Sequence, residues 1–88
     1  MNTIWKFELE DTDEQTIEAP DNSKVLTVQV QHGITCLWML VDPNTPVRKY
    51  GVRIFGTGHP VNISGDDWVY AGTYQLHNGL FIGHVFVA

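Results

Sequence analysis

The chain has 88 residues, of which 43% are hydrophobic and 17% are charged. It is too apolar to be disordered, and its apolar runs are too short to span a membrane. Ten acidic residues against five basic ones give a net charge of -5, which argues against a nucleic-acid binder because phosphate contacts need Lys and Arg. A chain of this length is expected to form one domain, residues 1–88, with a small core.

The beginning of the chain and its cysteine content give two further expectations. Residues 1–6 run directly into alternating polar and apolar residues and contain no apolar signal segment, which predicts a cytoplasmic location. Cys36 is the single cysteine, so no internal disulfide supports the core. We expect association of subunits to supply part of the stability, and the sequence therefore predicts a homo-oligomer.

Alternation of polar and apolar residues dominates the chain, and no window favours a helix over a strand. Thr3–Leu9 predicts a half-buried strand with Trp5 and Phe7 on its apolar face, and Gln15–Ala19 predicts a shorter strand. Seven of the ten acidic residues lie in this first quarter of the chain. Such a stretch is typical of a solvated edge and less often of a mimic of nucleic acid.

The middle of the chain predicts a hairpin. Lys24–Gln31 and Ile34–Val41 are candidate strands, and the His32-Gly33 pair between them suits a tight turn. The first strand alternates, whereas the second is apolar on both faces, as expected of a central strand covered on both sides. Two prolines and other turn-forming residues at 42–46 end this hairpin.

The last third of the chain predicts three more strands. Lys49–Phe55 is one, and Trp68–Leu76 and Leu80–Val87 form a hairpin around Asn78-Gly79, where both positions tolerate positive φ. Six to seven short strands predict an all-β fold, a single small antiparallel β-sandwich or a partly open barrel. The predicted core is Trp5, Phe7, Leu26, Val28, Val30, Cys36, Trp38, Leu40, Val52, Ile54, Tyr70, Ile82 and Phe86.

Residues that usually carry catalysis or bind metals are scattered. The four histidines share no short ligand spacing and the lone Cys36 belongs to no CxxC pair, so no metal site and no cofactor is predicted. Cys36 lies in an apolar strand, where a thiol is buried and inert. No nucleophile motif surrounds Ser23 or Ser64. No catalytic residue is predicted.

One segment, Phe55–Pro60, places two glycines among hydrogen-bonding side chains at the end of a predicted strand. Arginine binds phosphate, phenylalanine stacks on a base, and glycine-flanked N–H groups cradle an anion. We therefore predict a small anionic, nucleotide-like ligand. Its site, in an extended chain, consists of Arg53, Phe55, Gly56, Thr57, Gly58 and His59. The alternative is that the glycines form a structural corner and the polar side chains are merely solvated.

Four segments of the chain form a familiar pattern: TIWK at 3–6, VQVQ at 28–31, LWMLVDP at 37–43 and GTGHP at 56–60. In them the chain resembles a family of small proteins encoded by phages and some bacteria and classed as a domain of unknown function. The resemblance supplies no activity and no catalytic residue. It implies an accessory phage protein that binds and neutralises a host factor.

These observations favour a non-catalytic binding protein, an anti-defence protein that sequesters a small nucleotide-like signal or blocks a host protein. Two alternatives stay open. One is an enzyme that acts on a phosphate compound, with His59 as general acid or base and Arg53 stabilising charge. The other is a structural or virion accessory subunit, which is favoured if no small ligand binds and assembly is extensive. A binding protein returns its ligand unchanged, whereas an enzyme forms a product.

Overall fold

Seven strands fold into two antiparallel sheets in the computed structural model, which describes all residues from 1 to 88. The strands are β1 (Thr3–Glu8), β2 (Glu14–Pro20), β3 (Lys24–Gln31), β4 (Ile34–Val41), β5 (Val47–Gly56), β6 (Val69–Leu76) and β7 (Phe81–Val87). Their order is β1-β4-β3 in one sheet and β2-β5-β7-β6 in the other. The predicted all-β fold is confirmed, and it is an open sandwich rather than a barrel.

Both predicted hairpins are present. β3 and β4 turn at His32-Gly33, whose φ angles are 52° and 78°, as a two-residue hairpin turn requires. β6 and β7 are joined by a short 3-10 turn over His77–Gly79, in which all three residues have positive φ. None of the chain's helical residues form a segment with the length and hydropathy needed to cross a bilayer.

Tyr50 holds the corner at which the chain passes from β2 in one sheet to β3 in the other. Its hydroxyl donates a hydrogen bond to the carbonyl oxygen of Pro20 over 2.7 Å and accepts one from the N–H of Ser23 over 3.0 Å. The Arg48 guanidinium lies 3.5 Å from the centre of the Tyr50 ring and pairs with Asp21. That ion pair is about half exposed and adds little. The hydrogen bonds of the Tyr50 hydroxyl therefore hold the β2–β3 connection against β5.

The core lies between the sheets and is built mostly from aliphatic side chains. β4 contributes Leu37, Met39 and Val41, each exposed by 1% or less. The predicted core positions Val28, Val52 and Ile54 are confirmed. The remaining buried members of the core are Leu9, Ile17, Ala19, Tyr50, Tyr74, Val85 and Val87.

The predicted core is wrong where a strand is apolar on both faces. On β4, Trp38 and Leu40 lie half-buried on the outer face. The predicted burial of Cys36 is confirmed, at 1% exposed, although it does not join the core cluster. Ile82 and Phe86 of β7 are likewise half-buried outside the core. Alternation alone does not say which of two apolar faces points inward. Trp5 is 39% exposed.

Two β-bulges account for the other errors. The register of β3 shifts between Val25 and Thr27, so Leu26 is 47% exposed. The register of β6 shifts between Tyr70 and Gly72, so Tyr70 is 48% exposed while Tyr74 is 4% exposed and lies in the core. A bulge adds one residue to a strand and thereby reverses the faces of the side chains beyond it.

Candidate functional site

The predicted site lies on the outer face of the four-stranded sheet, at the end of β5. Residues 57–68, the β5–β6 loop, fold back over this face. In this loop Asn62 accepts a hydrogen bond from Arg53 Nη2 over 3.1 Å. Trp68 covers Gly51, where a Cβ would lie 3.3 Å from the indole. The chain therefore shields part of the site itself.

Phe55 lies beneath Arg53 and presents little of its ring to solvent. It is 7% exposed and packs edge-on against Phe86, with 5.9 Å between the ring centres. The Arg53 Cζ lies 5.1 Å from the centre of the Phe55 ring, within the range of a cation–π contact. Phe55 thus supports the guanidinium, a role that differs from the base stacking expected from the sequence.

The contacts of the Arg53 guanidinium leave one of its donors without an acceptor. Nη1 lies 3.4 Å from Glu14 Oε1, and Nη2 is held by Asn62. Nε is buried and has no hydrogen-bond partner. A buried donor left unpaired costs about 1–3 kcal/mol, so an acceptor atom brought to this point would be bound favourably.

The chain turns sharply at residues 56–59. The N–H of His59 donates to the carbonyl oxygen of Gly56 over 3.1 Å, and Gly58 has a φ of 85°, which glycine adopts without strain. The prediction placed the site residues along an extended chain, and the chain stops being extended at Gly56. The His59 ring folds back against Gly56, where a Cβ would lie 3.0 Å from the ring. The glycines form a corner, and the N–H of Gly58 makes no hydrogen bond within the chain.

Two hollows meet at this turn. The polar hollow has a volume of ≈ 350 Å³ and is lined by four of the predicted site residues, namely Arg53, Phe55, Gly56 and His59. The second hollow has a volume of ≈ 230 Å³, lies between the turn and residues 79–82, and is lined by polar and apolar groups alike. Thr57 lines the second hollow, and Gly58 lines neither. The structure thus brings four of the six predicted residues together around one volume.

The charges around the polar hollow are mixed. Asp13 and Glu14 line it together with Arg53 and His59. The Glu14 side chain is 71% exposed, so its attraction to Arg53 is weakened by water. An incoming anion can displace Glu14 at small cost. Nowhere in the chain are three or more His, Cys, Asp or Glu side chains grouped so as to hold a metal ion.

A hydrogen-bonded cluster that the sequence analysis missed fixes the turn to the sheet. His84 Nε2 lies 2.7 Å from Thr57 Oγ1, and His84 Nδ1 lies 2.8 Å from the Tyr70 hydroxyl. The Tyr70 hydroxyl also bonds Thr73 Oγ1. We call Thr57, Tyr70, Thr73 and His84 the His84 cluster. Because both ring nitrogens of His84 are engaged, the cluster ties the β5–β6 loop to β6 and β7.

Part of this cluster could have been predicted from the sequence. The register of the β6–β7 hairpin places Thr73 directly opposite His84, and that register follows from the turn at Asn78-Gly79. The contact with Thr57 depends on the turn after β5. The position of Tyr70 depends on the bulge in β6. The glycines signal the turn itself, but neither its contact with His84 nor the position of the bulge has a clear signal in the sequence.

The fold and the site together define a small β-sandwich protein with a polar hollow of mixed charge beside a tight glycine turn. A family model described as Domain of unknown function (DUF7352) matches residues 1–88. The chain belongs to this family, which confirms the resemblance to an uncharacterised domain family. No curated protein and no solved structure compared with the chain matches it.

Proposed function

We propose that the protein is a non-catalytic binding protein that takes up a small nucleotide-like anion in the polar hollow. The observation that carries this proposal is the buried Arg53 Nε, a charged donor without an acceptor. An anionic oxygen in the hollow supplies that acceptor once the Arg53 side chain shifts and exposes Nε, and the two form a charge-assisted hydrogen bond. The His59 ring belongs to the same turn, lines the polar hollow and adds a second group that can bond the anion.

The two hollows together fit a ligand with one charged and one apolar part. Gly56 and His59 line both of them. A phosphate beside Arg53 places the rest of a nucleotide across the turn, where Phe81 and Ile82 offer apolar surface. Pockets for small ligands have volumes of about 300–1,000 Å³, and the polar hollow alone reaches the lower end of that range.

The His84 cluster supports this proposal by making the turn rigid. When a loop must become ordered for a ligand to bind, the free-energy cost of ordering weakens the affinity. Here Thr57 is already bonded to His84, and His59 N–H is already bonded to Gly56. The turn is therefore ordered before a ligand arrives.

The biological setting of the proposal is host defence. We propose that the ligand is a nucleotide signal and that the protein is a phage accessory protein, which sequesters that signal in the cytoplasm of the host cell. The support for this setting is the resemblance to proteins encoded by phages. Blocking of a host protein is the other form that such an anti-defence activity takes.

A thermal-shift screen against linear and cyclic nucleotides tests the polar hollow. The wild type is compared with Arg53→Gln and with the matched control Arg48→Gln, which changes an arginine at the other end of β5. A ligand at about 100 times its Kd stabilises the wild type by about 2.7 kcal/mol, and we expect the same shift in Arg48→Gln. In Arg53→Gln the shift, measured from the variant's own melting temperature, is expected to vanish.

Two results of that screen contradict the proposal. One is that no nucleotide raises the melting temperature of the wild type. The other is that Arg53→Gln and the wild type are stabilised equally. Binding that does not depend on Arg53 does not take place in the polar hollow.

A second candidate function is an enzyme that acts on a phosphate compound. The observation that favours it is that His59 and Arg53 line the same hollow, so an imidazole for proton transfer lies near a cation that stabilises developing charge. Chromatography of the nucleotide after incubation and denaturation of the protein separates the two functions. A binding protein returns the nucleotide unchanged, whereas an enzyme returns a product.

We also propose that the protein forms a homo-oligomer through the outer face of the three-stranded sheet. Ile4 and Ile34 are 56% and 41% exposed on that face, beside the half-buried Trp38 and Leu40. On the same face of β1, Ile4 is followed by Lys6 and Glu8, so a twofold arrangement can set opposite charges against each other. Two copies that meet here bury apolar surface that a single chain leaves open.

Light scattering at micromolar concentration tests the oligomer. The wild type is expected to show at least twice the chain mass of 9.9 kDa, and Trp38→Lys is expected to show a monomer. Leu80→Lys is the control, since Leu80 is 89% exposed on a different part of the molecule. A monomeric wild type would rule the oligomer out.

A further inference from the structure

A third cavity opens at one end of the sandwich, between the four-stranded sheet and the connection from β1 to β2. This end cavity has a volume of ≈ 320 Å³. Its apolar wall comes from Ile54, Tyr74, Leu76 and Phe81. Its polar rim is made of four residues, namely Asp11, Thr12, Asp13 and His77. Its lining overlaps that of the polar hollow at Asp13 and Ile54 alone.

The two carboxylates at the rim are free to bind a cation. The ion pairs of the chain involve Asp42, Asp21 and Glu14, and neither Asp11 nor Asp13. The position of Asp13 is nonetheless fixed, because its carbonyl oxygen accepts a hydrogen bond from the N–H of Ile54 over 3.0 Å. The rim therefore carries two uncompensated negative charges on an anchored piece of backbone.

Two nearly buried residues with hydroxyl groups lie close together: Tyr74 lines the end cavity, and Thr35 adjoins Tyr74 without lining the cavity. Tyr74 is 4% exposed and Thr35 is 2% exposed. Thr35 Oγ1 has no hydrogen-bond partner of good geometry, although it lies close enough to Tyr74 to lower the pKa of the phenol. Burial and the charge of Asp11 act in the opposite direction and raise that pKa overall. Asp11 is thus near the phenol, and a hydroxyl without a partner lies beside it.

Aromatic rings complete the wall. The rings of Tyr74 and Phe81 are tilted against each other with 6.1 Å between their centres, and Phe81 is 36% exposed. The face of an aromatic ring attracts a cation, and the attraction grows as water is removed. Leu76 and Ile54 offer surface for an aliphatic chain. The end cavity thus combines an apolar wall, an aromatic face and a negative rim.

We propose that the end cavity binds an ammonium or guanidinium group carried on an apolar stem. The cationic head lies at Asp11 and Asp13 and donates to the Tyr74 hydroxyl oxygen, while the stem packs along Leu76 and Phe81. This chemistry occurs in a free aliphatic amine and in the side chain of a lysine or arginine of another protein. The inference does not rest on the proposed function, although the end cavity and the polar hollow share Asp13 and Ile54.

Titration followed by NMR tests this site with n-pentylamine, which is protonated at neutral pH, and with 1-pentanol, its neutral counterpart. The amine is expected to shift the amide signals of residues 11–13, 74 and 81 and to bind at least about tenfold more tightly than the alcohol, a difference of 1.4 kcal/mol. Asp11→Asn is expected to weaken the amine about tenfold. Asp66→Asn, which removes a carboxylate from the β5–β6 loop, is expected to leave its affinity unchanged.

A peptide arm separates the two sources of the cation. Acetyl-Gly-Lys-Gly-amide is compared with the peptide that has norleucine in place of lysine. Binding of the lysine peptide more tightly than pentylamine assigns the site to a protein partner, and the reverse order assigns it to a free amine. The inference is overturned if neither cation binds, if the alcohol binds as tightly as the amine, or if Asp11→Asn keeps the wild-type affinity while its spectrum remains folded.

Discussion

Leu37→Ala is expected to destabilise the protein by about 2–5 kcal/mol, the range for truncation of a fully buried leucine. Leu37 is 0% exposed in the core between the sheets. Leu40 is the matched control, because it lies on the same strand but faces away from the other sheet and is half-buried. Leu40→Ala is expected to cost about 1 kcal/mol, since less apolar surface returns to water. Urea unfolding of both variants measures the difference.

The outcome of this comparison decides which face of β4 points into the core. Equal losses, or a larger loss for Leu40→Ala, would contradict the arrangement of the sandwich. The comparison is made at concentrations at which light scattering shows the same mass for both variants. Otherwise a change in oligomerisation, to which the outer face of β4 is proposed to contribute, would add to the measured stability.

Gly83→Ala is expected to destabilise the protein by about 1–3 kcal/mol, as overpacking of a core does. A Cβ at this position would lie 2.5 Å from the Tyr74 ring, and that ring is buried and has little room to move. The φ angle of Gly83 is not positive, so the expected cost is steric and not conformational. Thermal unfolding measures it.

A second substitution tests the cause of that loss. In Tyr74→Leu the ring is absent, so adding Gly83→Ala to this variant should cost clearly less than adding it to the wild type. Such a coupling is expected for residues in contact. If Gly83→Ala has the same effect in both backgrounds, the close packing of Tyr74 over Gly83 is wrong.

Turn chemistry and alternation predicted the strands well, because both signals are local. His32-Gly33 and Asn78-Gly79 take the positive φ angles that their residue types allow, and every strand begins and ends within two residues of its predicted bounds. The inward face was harder to predict. On β4 both faces are apolar, and the predicted core took the face that carries Trp38 as the inward one. On β3 and β6 single-residue bulges reverse the alternation, and no sequence signal marks them.

The candidate site shows the same division between local and tertiary information. That Arg53 and Phe55 share a face follows from the period of a strand. That Glu14 lies opposite Arg53 depends on the pairing of β2 with β5, which the sequence does not reveal. The burial of Phe55 depends on Phe86 from another strand. The turn at Gly58 has a local cause, but its attachment to His84 arises from the fold.

Native mass spectrometry tests the central claim, the uptake of a small anion beside Arg53, most directly. Wild type and Arg53→Gln are purified from infected or defence-active cells and sprayed under conditions that keep ligands bound. The wild type is expected to carry, for each chain of 9.9 kDa, the added mass of one anionic compound that is released unchanged on denaturation, and Arg53→Gln is expected to carry none. A wild type without added mass, or the same added mass on both proteins, would contradict the uptake of an anion beside Arg53.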